Sequence, residues 1–329
     1  MLKPSSTPHT QHRAFSRSFQ EGHLTLGLAY PLENLATDTL SEQHPRMNIL
    51  EHVALTQLAE KVGFSAVWAR DVPLHDPDFG DVGHIYDPWT FLSYIAASTE
   101  TIGLGTAGVV LPLHHPIDIA KQSASLDQIS GGRFIMGVVS GDRPIEYPAY
   151  GKDQGARGED FRASLEFITK AHSVSFRPIN TSSATLRGAD VIPKPTTHHV
   201  PMLVTGSAQQ SMEWIAEHSD GWITYPRGPQ QQKELVGNWH RTVRELTGGF
   251  KPFVQSLGVD LAEDPDAEMQ SQHMGYRLGR NALVEFLRFH RDAGVNHVIL
   301  GLRSKDRPVQ EVIEELGEYV LPEFSAAQP

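Results

Sequence analysis

Eight short apolar runs, most of them separated by an amphipathic stretch, constrain this chain more than any other feature of its sequence. They are HLTLGLAY (23–30), SAVWARDV (65–72), TIGLGTAGVVL (101–111), RFIMGVVSG (133–141), VPMLVTG (200–206), DGWITYP (220–226), KPFVQSLGVDL (251–261) and NHVILGLR (296–303). Continuous apolarity over so few residues marks a strand buried on both faces, as parallel sheets require. Between the first two runs, Leu50, Val53, Ala54, Leu58 and Val62 recur at helical spacing and stop at Gly63, a residue suited to a left-handed helix end. Pro88 and Pro116 stand where first helical turns begin, and the helix opened by Pro116 runs to Ile129 before Ser130-Gly131-Gly132. Phe161, Leu165 and Ile168 mark the fourth helix, and Met212, Ile215 and Ala216 the next. Leu283, Leu287 and His290 precede the eighth strand, and Val309, Val312, Ile313, Leu316 and Val320 form the closing helix. Doubly wound sheets and barrels both use apolar parallel strands, so the count decides. Eight strand–helix units predict an α/β fold, a single (β/α)8 TIM barrel.

The stretch 173–200 breaks this rhythm with three prolines, a glycine and few periodic apolar positions. It is read as an excursion before the fifth strand, not a domain boundary. The first twenty residues are rich in Ser, Thr, Pro and His and carry no apolar run, which predicts a mobile N-terminal arm over 1–20 and the barrel over 21–329. Acidic residues (39) outnumber Lys and Arg (28), for a net charge of −11. That balance argues against nucleic acid and anionic membranes as partners, since both demand clustered basic residues. The absence of cysteine excludes thiolate nucleophiles, disulfides and Cys-ligated metals. No run approaches the roughly 18 apolar residues of a membrane span, and a cytoplasmic protein is expected.

Barrel chemistry gathers at the C-terminal ends of the strands. There this sequence places Tyr30-Pro31, Arg70-Asp71, Thr106-Ala107-Gly108, Ser140-Gly141-Asp142-Arg143 and Thr205-Gly206-Ser207 through Ser211. The last segment is a small-residue turn leading into a helix, whose free N–H groups favour a phosphate. Equally, Ser211 or Ser207 is an ordinary helix cap. Arg157, just before the fourth helix, is a bidentate phosphate partner or a solvated surface arginine beside Glu159 and Asp160. The small residues of GTAGVVLP admit a flat ligand to the backbone, or close packing of the barrel layers.

The block LGTAGVVLPLHHPIDIAKQSASLDQISGGRFIMGVVSG resembles the most recognisable segment of the bacterial-luciferase-like flavin monooxygenase family. The shared features run in order: Gly105-Thr106-Ala107, Leu111-Pro112, His115-Pro116, Leu126-Asp127-Gln128 and Ser130-Gly131-Gly132-Arg133. The ARDVPL and SGDRPIEYPAYG segments are similar to a luciferase-type oxidoreductase subgroup of that family. The resemblance implies a barrel that binds FMN, or a deazaflavin coenzyme in some branches, at its C-terminal mouth. It further implies a non-prolyl cis peptide at Ala107-Gly108 beneath the flavin, and phosphate contacts from Arg157, Ser207 and Ser211. Tyr30, Arg70, Ser140 and Gly206 complete the expected cofactor-binding set. Where luciferase carries an acid–His pair at the end of its second strand, this chain reads Asp71-Val72, so Asp71 and His75 stand as the candidate catalytic residues.

The reading is therefore a two-component monooxygenase taking reduced FMN from a separate flavin reductase and acting on a small organic substrate with oxygen. A homodimer is expected from the resemblance. The alternative is a deazaflavin-dependent dehydrogenase; few basic residues beyond Arg143 and Arg157 stand near the mouth for its longer anionic tail, which favours FMN. A non-catalytic flavin-binding protein is a further option. A metal hydrolase is disfavoured: the 17 histidines include His114-His115 and His198-His199, but the first strand ends LGLAYPL without ligands, and no metal is expected.

Overall fold

A computed structural model describes residues 12–32, 48–79, 85–303 and 307–324. Eight strands form the barrel: β1 (Thr25–Ala29), β2 (Ala66–Ala69), β3 (Gly103–Val110), β4 (Phe134–Val139), β5 (Met202–Thr205), β6 (Gly221–Thr224), β7 (Phe253–Leu261) and β8 (His297–Leu302). Each pairs in parallel with the next, and Thr25↔His297 brings β8 back to β1, closing the ring. All eight lie inside the runs expected from sequence. Helices α2 (Ile49–Val62), α3 (Pro88–Ser98), α4 (Pro116–Ser130), α5 (Arg157–Ser173), α6 (Met212–His218), α7 (Pro229–Thr247), α8 (Arg280–Ala293) and α9 (Val309–Glu315) follow the strands in turn, after α1 (Arg13–Ser18) has opened the described chain. Local chemistry sets their ends. Asp87 Oδ1 accepts the Thr90 N–H at 2.8 Å to start α3, and Gly63, Gly131, Gly248 and Gly294 close α2, α4, α7 and α8 at positive φ.

Residues 12–20 are not the end of a mobile arm. Helix α1 plugs the N-terminal end of the barrel, where Ala14, Phe15 and Phe19 join Ala66, Trp68, Ile135, Leu203, Ile223, Val254 and Ile299 in the barrel interior. Its backbone bonds to Gly132, and Arg13 and Arg17 donate to the carbonyls of Glu100 and Thr101. His12 Nε2 donates to Asp127 Oδ1 at 2.8 Å, both side chains fully buried. The other oxygen of Asp127 accepts from the Thr196 amide and hydroxyl at 2.7 and 2.8 Å, so one carboxylate ties α1 and the excursion to α4. The arm's average composition hid this, because only three apolar residues do the plugging. Residues 1–11 lie outside the described residues. Within the excursion, Ile179–Asn180 and Thr185–Leu186 form a minimal antiparallel pair. A second hairpin, Gln270–Gln272 with Gly275–Leu278, had no counterpart in the expected strands; its polar sequence lacks the apolar run that betrayed the others. Its second strand extends the far end of β7, where a Cβ on Gly275 would lie 1.9 Å from the Gly258 carbonyl oxygen.

Trp68 spans the barrel interior. Its indole fits only because Gly27 and Gly105 carry no side chain: a Cβ on Gly105 would lie 2.2 Å from the ring, and one on Gly27 2.8 Å from Nε1. The indole N–H donates to His297 Nε2 at 3.0 Å, so that nitrogen is the unprotonated one. Nδ1–H then donates to Thr25 Oγ1 at 2.7 Å, and the Thr25 hydroxyl donates to the Ser18 carbonyl at 2.7 Å. This chain of bonds holds one neutral tautomer, and burial depresses the His297 pKa to about 3. Burial also takes His172 down to about 4.

Acid destabilisation follows. The unfolded chain protonates both histidines below about 6.5 while the folded one resists, so their stabilising contribution is complete above that pH and drains away as pH falls toward 4 for His172 and 3 for His297. Between pH 7 and 5 each is expected to remove ~2 kcal/mol of stability. Urea midpoints at the two pH values check this, with His297→Gln flattening the slope; a slope unchanged in that variant contradicts the assignment.

Candidate functional site

A cavity of about 540 Å³ opens at the C-terminal ends of the strands. Pockets of roughly 300–1,000 Å³ at this face are where barrels hold small ligands. Its apolar lining includes Ala29, Trp68, Ala107, Ile223 and Ile299, which belong to the cluster in the barrel interior. The rim is polar: Arg70, Asp71, Asp142, Arg143, His273 and Arg303. Two of these arginines are held in place by shape. Arg143 lies over the Phe79 ring at 4.9 Å, 3.5 Å from the buried Glu146 carboxyl, whose pKa burial pushes up. Arg303 rests against Gly258, where a Cβ would come within 2.9 Å of its guanidinium carbon. Besides Arg70 and Arg143, both expected at the mouth, the barrel brings Arg303 to the rim.

The wall of the cavity at β3 is a bulge. Register slips between Thr106 and Val109, and the Ala107-Gly108 peptide is cis, as the resemblance implied. Glycine is required on both sides of it. A Cβ on Gly108 would stand 2.9 Å from the Gly137 carbonyl, and a Cβ on Gly137 would stand 2.0 Å from the Thr106 carbonyl oxygen. Beside this bulge, the buried Thr205 hydroxyl lines the cavity without a hydrogen-bond partner. A polar group rarely stays so unless something else satisfies it.

Of the expected cofactor residues, Tyr30, Arg70, Ala107 and Gly108 line this cavity. Tyr30 is buried, its hydroxyl bonded to Thr56 and its pKa raised by burial. Ser140 is buried just below the rim, its carbonyl accepting the Tyr147 hydroxyl. Arg157 is half-buried beside Tyr147 and donates to the Gln154 carbonyl at 2.7 Å. The turn after β5 faces the start of α5: Gln210 Nε2 donates to the Gly158 carbonyl at 3.0 Å, and Arg162 donates to Gln210 Oε1. The end of this turn, Gln209 and Gln210, is therefore packed against Gly158, the residue after Arg157, though about fifty positions away in sequence. Ala208 and Gln209 sit at φ 46° and 61°, a conformation that non-glycine residues adopt at a cost and that clusters at ligand sites. Gln210, the side chain that fastens this corner, was not anticipated.

Two of the expected residues lie away from the cavity. Ser211 is exposed and its Oγ accepts the Trp214 N–H at 3.2 Å, so it caps α6 rather than facing the cavity. His75 is exposed and does not line the cavity. The histidine that meets Asp71 is His114, from the turn after β3. Asp71 Oδ2 accepts both the Val110 N–H at 3.0 Å and His114 Nε2 at 2.7 Å. Burial alone lowers the His114 pKa, but the bond and charge of Asp71, with Asp87 and Asp118 behind, carry it above its ordinary value. Among the described residues no group of three or more His, Asp or Glu side chains is arranged to hold a metal, and no helix is long and apolar enough to cross a membrane.

A closed barrel, a bulged third strand and a cavity at the mouth are the features of an α/β-barrel oxidoreductase of the luciferase type. The chain belongs to the luciferase-like monooxygenase family, whose model matches residues 26–307. An uncharacterized protein of Mycobacterium tuberculosis is 33% identical over 232 residues, 65% of this chain and 80% of its own. The alkanal monooxygenase beta chain of Photorhabdus luminescens is 25% identical over 236 residues, 70% of this chain and 66% of its own. Among solved structures, the monooxygenase RslO1 of Streptomyces bottropensis superimposes with a TM-score of 0.76 at 18% identity, over 92% of this chain and 100% of that one. An F420-dependent secondary alcohol dehydrogenase, in complex with an F420-acetone adduct, gives 0.74 at 17% identity, over 92% and 99%. At these identities the structures share the fold.

Proposed function

We propose that the protein is a two-component monooxygenase that takes reduced FMN at the barrel mouth and uses it with oxygen on a small organic substrate. The observation that carries this reading is the cavity lining of small and apolar residues at the Ala107-Gly108 bulge, with the Thr205 hydroxyl beside it lacking a partner among the described residues. A ring with an apolar face and a polar edge suits that lining, and the residues fit the group. Ala107 and Gly108 would lie against the ring and Thr205 would bond its polar edge. Arg157 with the Gly206-Ser207 turn would hold the phosphate. Reduced flavin supplies the electrons for oxygen chemistry; the protein orients the substrate, keeps the cavity dry and handles protons at Asp71. A second reading, a deazaflavin coenzyme in place of FMN, draws support from Arg70, Arg143 and Arg303 around the rim, which suit a longer anionic tail.

Fluorescence titration of the purified protein with FMN, riboflavin and coenzyme F420 tests the choice. FMN is expected to bind at least tenfold more tightly than riboflavin, and Arg157→Ala to remove most of that difference, since a charged bidentate contact is worth roughly 1.5–3 kcal/mol. Equal loss for both ligands contradicts the phosphate assignment, and tighter binding of F420 selects the second reading. NADH or NADPH alone is expected to leave the oxidised FMN complex unreduced; rapid bleaching contradicts dependence on a separate reductase.

A further inference from the structure

We infer that Asp71 and His114 form a proton-transfer pair that connects the cavity to solvent, with His114 as the positioning residue. The inference rests on the reading of the mouth cavity as the reaction site. Asp71 stands at the end of β2, buried and lining the cavity. Both of its hydrogen bonds fall on Oδ2, from the Val110 amide and the His114 ring, which leaves Oδ1 as the oxygen that can meet a ligand. The Val110 amide lies at the far side of the β3 bulge, so the same irregularity that shapes the cavity wall fixes the carboxylate. His114 itself does not line the cavity; its side chain is 24% exposed, against 6% for Asp71. The pair therefore runs from a carboxylate that lines the cavity to an imidazole that is partly exposed.

The charges around His114 support this direction. Asp71 bonds it, Asp87 and Asp118 add negative potential, and Tyr150 packs edge-on to its ring at 6.4 Å between centroids. Burial lowers its pKa, but Asp71, Asp87 and Asp118 together outweigh that and hold the imidazole proton beyond its usual range. A proton leaving a ligand at Oδ1 neutralises Asp71 and removes the main charge holding the imidazolium proton. His114 then releases its Nδ1 proton to solvent and keeps its Nε2–H bond to Oδ2. The net transfer is one proton from ligand to water, and the pair is neutral overall before and after it, carboxylate with imidazolium at the start and carboxylic acid with imidazole at the end. The steps reverse for proton delivery.

Two measurements test the pair. The first needs no flavin: imidazole NMR of the whole protein across pH. His114 is expected to titrate above its ordinary value in the wild type and to fall back toward that value in Asp71→Asn. An unchanged His114 titration in that variant overturns the pairing. The second is the pH profile of turnover in His114→Asn, which preserves an N–H donor toward Oδ2 but cannot titrate. A fall of at least tenfold in kcat with little change in KM is expected, the pH dependence of that limb flattening, and His114→Gly recovering part of its rate with added imidazole. A wild-type rate and profile in His114→Asn overturns the proton path. Failure of reduced FMN to support turnover bears on the cofactor reading alone; the profile is then taken with coenzyme F420, while the NMR titration judges the pair independently.

Discussion

Gly137→Ala is expected to abolish flavin binding and to cost the barrel 3 kcal/mol or more. A single methyl is added, but at the worst place for it. The new Cβ would lie 2.0 Å from the Thr106 carbonyl oxygen and 3.0 Å from the Thr106 carbonyl carbon. Both are backbone atoms of the neighbouring strand, so no rotamer change relieves the clash. Overpacking against movable side chains usually costs roughly 1–3 kcal/mol; here β3 itself must move. The Thr106 hydroxyl also donates to the Gly137 carbonyl at 2.9 Å and would lose its geometry. What moves is the bulge that carries Ala107 and Gly108, so the wall against which the ring would lie is displaced. Thermal melting and FMN titration check the two parts separately. A variant with wild-type melting temperature and FMN affinity contradicts this account of the β3–β4 contact.

Asp127→Ala is expected to destabilise the fold by ~3–5 kcal/mol, the usual consequence of stripping one partner from a buried charged hydrogen-bond network. The carboxylate accepts from His12 at 2.8 Å and from the Thr196 amide and hydroxyl at 2.7 and 2.8 Å. Removing it leaves three donors unmet at once, the buried His12 ring on the plug and the Thr196 amide and hydroxyl on the excursion. The effect should reach the barrel's N-terminal end, because α1 is held there by this bond and by the interior packing of Phe15 and Phe19. Chemical denaturation measures the loss, and limited proteolysis should show early cleavage near residue 20. A loss under 1 kcal/mol, with α1 still protected, contradicts the proposed role of this carboxylate.

The architecture was readable in advance because its signals are local. A strand buried on both faces must be apolar along its whole length, whatever lies beside it, and all eight barrel strands announced themselves this way. Helix boundaries followed from prolines at first turns and from glycines whose positive φ ends a helix, as at Gly63 and Gly131. The third-strand bulge carried a contiguous run of residues similar to a known family, so the cis peptide at Ala107-Gly108 was legible as well. The plug helix was not. Only Ala14, Phe15 and Phe19 carry it, and an average over a Ser- and Pro-rich arm conceals three residues.

Which side chains meet at the site was decided by tertiary structure. The sequence offered His75 beside Asp71 as a candidate, whereas His114, 43 positions away, makes the bond to Asp71. Ser211 had the same composition-based claim on a phosphate as Ser207, and only the observed bond to the Trp214 amide showed that it caps a helix. Arg70, Arg143 and Arg303 stand on strands 2, 4 and 8 or the loops after them, and become one rim only when Thr25 pairs with His297. The sequence by itself determined which segments become strands and helices, because burial and backbone geometry act over a few residues. Which side chains meet at the mouth depends on ring closure and strand register, and those are set by pairings between residues as much as 272 positions apart.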